Sequence, residues 1–316
     1  MTGHVTGHMT GRVAAIDSGT NTIKLLIGDL THPDGPSVDV REMRVVRLGQ
    51  DLDRTGEIAE EALVRAFGAI EEYAALIRAH DVPPSRVRFV ATSATRDAAN
   101  ANVFVAGVRE RLGVEPEVVS GDVEAALSFD GAVRHLRTPP AEPVLVVDVG
   151  GGSTELILGA SAPEAADSMD IGSVRLHERH LHSDPPTAAE VAACVADIDA
   201  HLDACPVSPA GAATVVGVAG TVTQLAAVAL GLPAYDRAAV DQLELTVDEV
   251  LATVDRLLAM TVEERRVLPS MHPGRADVIG AGGLILAQVL RRSGVASMVV
   301  SEADILDGIA WSLVAH

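Results

Sequence analysis

The chain has 316 residues, enough for two domains with separate cores, and its 48% hydrophobic and 22% charged residues describe an ordinary soluble globular protein. Lys and Arg number 24 against 44 Asp and Glu, so the net charge of −20 disfavours nonspecific contact with nucleic acid or anionic membranes. Only 2% of residues are aromatic, which also argues against stacking on single-stranded nucleic acid.

Residues 1–11, with His4 and His8, read as a frayed tail and show no signal-peptide pattern. Nothing is long and apolar enough to span a membrane. Cys194 and Cys205 stand in no metal spacing and suit reduced thiols of a cytoplasmic protein. Ala14–Gly28 reads as strand, turn and strand around Asp17-Ser18-Gly19-Thr20-Asn21-Thr22. A further strand is expected from Val38 to Leu48, followed by a long amphipathic helix carrying Leu63, Phe67, Ile70, Ala74 and Ile77. A strand over Val87–Ala91 then runs into Thr92–Asn100 and a helix ending near Leu112. Ser120-Gly121 opens a connecting helix that reaches about Leu136.

The second half begins with a buried strand from Val144, a turn of Gly150, Gly151 and Gly152, and a second strand opening at Ser153, Thr154 and Glu155. An offset of 131 positions sets Asp17 over Asp148, Gly19 over Gly150 and Thr22 over Ser153, so the chain repeats one motif. Helices follow around 175–181 and 188–202, then a strand-to-glycine-turn-to-helix junction at Val215–Thr223. Helices near 247–258 and 276–290, the strand Met298–Val300 and a closing helix over 305–314 complete the chain. Strands alternate with helices throughout, which predicts an α/β protein. The repeat places the boundary inside the connecting helix, giving domains over 1–128 and 129–316.

Glycines let backbone amides converge on an anion, hydroxyls add donors, and flanking carboxylates suit a hard cation that accompanies phosphate. Asp17, Asp148 and Glu155 are therefore candidate metal-associated acids. Glu124, in the first turn of the connecting helix, is a candidate base for a water attacking phosphorus, although an acid there also suits a helix cap. Arg96 could clamp phosphate oxygens, with Lys24 and Arg47 as weaker candidates. Gly220 and Thr221 would aim helix amides at a ligand. Arg265 and Arg275 are expected on solvated helix faces, and His177, His180 and His182 at a solvated helix end.

Taken together, Ala15–Thr22, Ala91–Asn100, Ser120–Ala125, Asp148–Glu155, Gly220–Thr223, Arg275–Asp277 and Ser301–Asp304 resemble the exopolyphosphatase/guanosine pentaphosphatase (Ppx/GppA) family. The likeness runs from about residue 12 to 313. It implies two ribonuclease H-like domains of the actin and sugar-kinase superfamily flanking a cleft. It also implies Mg²⁺-dependent release of terminal phosphate from polyphosphate or guanosine pentaphosphate, with K⁺ as a candidate second ion. The family's base falls on Glu124 and its metal acids on Asp148 and Glu155, with Asp17 as counterpart. Its phosphate contacts fall on Asn21, Arg96 and Gly151–Thr154, and Thr20, Thr22, Lys24, Gly150, Gly220 and Thr221 are further candidate phosphate-binding residues. Lys24 replaces a common arginine, Val123 replaces a common acid, and the chain stops after two lobes, which suggests a less processive enzyme. A homodimer is compatible with the likeness. The competing readings are a small-molecule kinase of the same superfamily and a non-catalytic sensor of pppGpp or polyphosphate.

Overall fold

The computed structural model describes residues 11–32, 36–134 and 136–314, so the expected tail lies outside the described residues save for Gly11. Two sheets form the frame. The first contains β1 (Arg12–Ser18), β2 (Thr22–Asp29), β3 (Ser37–Val45), β4 (Val87–Ala91) and β5 (Glu117–Val118), in the order β3-β2-β1-β4-β5. The second contains β6 (Val144–Val149), β7 (Thr154–Gly159), β8 (Pro163–Met169), β9 (Thr214–Val218), β10 (Glu244–Thr246) and β11 (Ser297–Val300), in the order β10-β11-β9-β6-β7-β8. In each, an antiparallel meander of three strands continues into parallel neighbours (β1 with β4, β6 with β9), the order of a ribonuclease H-like sheet. The sequence repeat is thus a repeat of topology.

Central strands that are covered on both faces must be apolar along their length. Val144–Val149 is buried at every position, and Val13–Ser18 likewise. On one face of the first sheet, Ile16, Leu25 and Phe89 pack against Ile70, Tyr73 and Ile77 of the Glu60–Ala79 helix. Helix starts in the second half follow local chemistry, with reciprocal capping boxes at Thr187/Glu190, Thr246/Glu249 and Thr261/Glu264.

The two remaining faces are covered by exchanged helices. The connecting helix (Gly121–Arg134) lays Ala125, Phe129 and Ala132 on Val144, Val146 and Ile157 of the second sheet. The closing helix (Ile305–Ser312) lays Ile305, Leu306 and Ile309 on Val13, Ala15 and Leu26 of the first. The two helices touch at glycines: a Cβ on Gly308 would stand 1.9 Å from the Leu127 carbonyl oxygen. Packing therefore does not follow chain order, and each lobe carries a helix from the other half.

Candidate active site

Both loops are closed by the same bond, Gly19 N–H to Thr22 O (2.9 Å) and Gly150 N–H to Ser153 O (3.1 Å). Antiparallel register sets Asp17 opposite Lys24 and Asp148 opposite Glu155. The loops face each other across the lobes in direct contact. A Cβ on Gly152 would meet Thr20 Oγ1 at 2.5 Å and Ser93 Oγ at 3.1 Å, so only glycine permits this approach. Thr20 and Ser93 share a hydrogen bond of 2.9 Å beside it. Asn21 is 5% exposed, and neither its amide nitrogen nor its amide oxygen has a partner. A buried amide without partners costs free energy, so Asn21 is set to hydrogen-bond a ligand.

Carboxylates gather behind the loops. Glu124 is 7% exposed and accepts a hydrogen bond of 3.0 Å from Arg96 Nη1, whose second bond goes to Val119 O at 3.2 Å. Glu124 thus turns to the cleft rather than to its own helix amides. Ser120 Oγ serves instead, accepting from Val123 N at 3.4 Å. Asp148 accepts from Ser128 Oγ at 2.7 Å, and Glu155 from Ser168 Oγ at 2.6 Å. Burial pushes Glu124 up to about 7, with Arg96 pulling the other way and Asp148 and Asp17 adding to the rise. Burial likewise lifts Asp148 to about 6 against the pull of Lys24. Glu155 stands well above the ordinary range from burial and from the charges of Glu124 and Asp148, and burial also raises Asp17. These mutual effects place the four carboxylates in one electrostatic neighbourhood.

Lys24 is not free to meet phosphate. Its Nζ lies 2.6 Å from Asp304 and 3.3 Å from Asp17. Asp304 also caps the closing helix, accepting from Leu306 N at 3.0 Å. Arg41 on β3 pairs with Asp307 at 2.8 Å and reaches Asp304 at 3.8 Å. Although burial opposes it, Lys24 and Arg41 hold Asp304 below the ordinary carboxylate range.

The other candidates divide. Ser153 and Thr154 are buried, with Thr154 Oγ1 donating to Ile171 O at 2.7 Å. Thr22 closes the first loop through its carbonyl. Gly220 lines a cavity of about 440 Å³ that also touches Lys24 and Asp304. Thr221 is turned into the core, its side chain against Gly282 of the Ile279–Ser293 helix. The Arg47 guanidinium pairs with Asp277 at 2.7 Å, while its backbone amide donates to the Asn21 carbonyl of the first loop at 2.9 Å. Arg265 and Arg275 are not on solvated faces: Arg265 is 3% exposed, and Arg275 lies against Gly220 in the cavity wall.

Sequence reasoning missed Ser93, Ser128, Ser168 and Asp304 as parts of the site. Asp304 carried a readable signal, an N-cap residue ahead of an apolar run, but not its meeting with Lys24 across 280 positions.

A model described as "Ppx/GppA phosphatase family" matches residues 32–315. "Exopolyphosphatase 2" of Mycobacterium tuberculosis is 47% identical over 316 residues, covering 96% of this chain and 98% of its own. A guanosine-5'-triphosphate,3'-diphosphate pyrophosphatase of Vibrio atlanticus is 29% identical, over 95% of this chain but 59% of its own. Among solved structures, an exopolyphosphatase-like protein superimposes with a TM-score of 0.90 at 44% identity, covering 95% of this chain and 98% of its own. The Aquifex aeolicus Ppx/GppA family member gives 0.80 at 30%, over 96% and 97%.

Proposed function

The chain belongs to the Ppx/GppA phosphatase family, and from that premise we propose that it is an exopolyphosphatase, hydrolysing the terminal phosphoanhydride of polyphosphate with Glu124 as general base. The observation that carries the assignment is a buried carboxylate pushed up to about 7, held by Arg96, beside two touching phosphate loops. A base whose pKa lies near neutral is ionised enough to act and basic enough to take a proton from water. Amides of Gly151 and Gly152, the Ser153 hydroxyl, Asn21 and Arg96 bind and orient the terminal phosphoryl group and stabilise its spreading charge.

Asp17, Asp148 and Glu155 offer only oxygen donors, the donor set of a hard cation. Among the described residues no three His, Cys, Asp or Glu side chains are grouped to hold a metal by themselves. A Mg²⁺ held by these residues would therefore need substrate phosphate and water to complete its shell. When bound, Mg²⁺ supplies Lewis-acid stabilisation of the departing phosphate charge. Among the described residues no helix is long and apolar enough to cross a membrane, and two free cysteines suit a reducing cytoplasm.

Phosphate release from short polyphosphate, long polyphosphate, pppGpp and ATP, compared in the wild type and Glu124→Ala, tests the proposal. The variant should lose roughly 10²–10⁴ in kcat. Turnover near the wild-type rate would remove Glu124 from the role.

The 440 Å³ cavity favours a second substrate, a nucleotide-ended oligophosphate such as pppGpp. It adjoins the carboxylates through Lys24 and Asp304, and Met43, Met271 and Tyr235 give it surfaces suited to a base. Tyr235→Ala should raise KM for pppGpp and leave short polyphosphate untouched. Equal effects on both substrates would argue against a base in that cavity.

A further inference from the structure

The helix Ser173–His180 carries histidines expected at a solvated end, yet it lies between the lobes. His177 Nδ1 is buried and His180 Nε2 stands 2.7 Å from Asp197, while His182, beyond the helix, is exposed. The helix starts against the second glycine loop. Ser173 donates its amide to the Gly150 carbonyl at 2.9 Å, and Val174 and Arg175 donate theirs to the Gly151 carbonyl at 2.9 and 3.2 Å. A Cβ on Gly172 would stand 2.4 Å from the Gly151 carbonyl oxygen, so only glycine lets the helix begin this close.

From that anchored start the Arg175 side chain, 12% exposed, reaches into the first lobe. Its Nη2 lies 2.8 Å from Asp97 Oδ2 and its Nη1 3.2 Å from Asp53 Oδ1, whereas Asp170 of its own lobe is 3.9 Å away. Asp97 is the last residue of the short helix Ser93–Asp97 and follows Arg96 directly. Its other oxygen, Oδ1, stands 3.8 Å from Arg96 Nε, and Glu124 is 3.0 Å from Arg96 Nη1. Two carboxylates are therefore within reach of one guanidinium. Being the chain neighbour of Arg96, Asp97 stays at hand whatever the lobes do. A carboxylate whose charge is already met by one cation attracts a second less strongly.

We infer that Arg175 is a positioning residue for the reaction: by holding Asp97 it leaves the Arg96 guanidinium to Glu124 and to phosphate. Because its own amide is bonded to Gly151, that hold depends on how the second glycine loop is seated. Without Arg175, Asp97 competes for Arg96. The inference rests on the roles of Arg96 and Glu124 proposed above.

The test is kcat/KM for phosphate release from short polyphosphate in the full chain, with a urea midpoint recorded for every variant. Ion pairs of partly exposed groups are individually weak, so Arg175→Gln should lower kcat/KM roughly two- to fivefold. Asp97→Asn added to it should return most of the loss, because the competitor is gone although no lobe contact is regained. Asp53→Asn removes ion pairs of both Arg175 and Arg179 while Asp97 stays held, and should leave kcat/KM within about twofold of wild type. Where Arg175→Gln does not fold, Arg175→Lys, with one prong for two partners, is paired with Asp97→Asn in the same way. An unchanged rate in the Arg175 variant, no recovery in the double variant, or an equal loss in Asp53→Asn would overturn the inference. A wild-type rate in Arg96→Gln would instead fault the underlying reading of the site, and this inference would fall with it.

Discussion

Arg96→Gln offers the sharpest test of how the base is tuned. The guanidinium donates to Glu124 at 3.0 Å and is the main influence opposing burial, which alone would keep the carboxyl protonated. A hydrogen bond to a charged group contributes about 1.5–3 kcal/mol, and about 1.4 kcal/mol displaces a pKa by one pH unit. Removing it should carry the Glu124 midpoint from about 7 upward by about one to two pH units. At pH 7 the ionised fraction would fall from about half to between roughly a tenth and a hundredth. The assay is kcat/KM for phosphate release from short polyphosphate between about pH 5.5 and 9.5. Arg96 also stands to touch phosphate, so its loss lowers the whole curve. The midpoint, not the height, is the readout. An acid limb at the same pH in wild type and Arg96→Gln would refute both the pairing and the role of Glu124. Asp148, lifted to about 6, titrates in the same neighbourhood, so the measured values belong to the cluster.

Stability should mirror these ionisations. The folded state binds protons at Glu124 and Asp148 more tightly than the unfolded chain, so in metal-free buffer stability should fall as pH rises from about 4 through about 7. Glu124→Gln should flatten that fall and add up to about 3 kcal/mol above pH 7 in urea unfolding; an unchanged slope contradicts the shift. Lys24→Met removes the cation between Asp17 and Asp304 and should cost about 3–5 kcal/mol by the same measurement; a loss under about 1 kcal/mol would show those carboxylates to be compensated elsewhere. Gly308→Ala drives a methyl into the Leu127 carbonyl and should cost about 1–3 kcal/mol or more, while Gly294→Ala, with open space around it, tests only the strain of its positive φ.

Local pattern carried most of the fold. Val247–Leu258 and Val87–Ala91 have the bounds that their apolar periodicity and caps indicate, because both signals lie within the segment itself. The paired loops were legible for a different reason, since duplication wrote the same turn chemistry twice. The short strand Glu244–Thr246 carried no comparable signal, because it is recruited to the sheet edge by pairing with Ser297–Val300 some fifty positions away. The same limit hid Ser128 and Ser168: a serine on a helix or strand says nothing of which carboxylate it will meet. Arg265 and Arg275 were misplaced because charge predicts exposure on average, and only tertiary packing buries an arginine.

The exchanged helices give the site a property that neither lobe has alone. Glu124 rides on a helix packed against the second sheet, whereas Arg96 follows β4 of the first. Their hydrogen bond therefore crosses between lobes, as do Arg175 to Asp97 and Arg179 to Asp53. Any separation of the lobes that breaks the Arg96 contact leaves Glu124 beside Asp148 and Asp17 with less positive charge to offset burial. The carboxyl then moves toward its protonated form, in which it cannot take a proton from water. If Glu124 is the base as proposed, apposition of the loops around phosphate and its activation are one event, and Arg96→Gln removes the cross-lobe charge without moving either lobe.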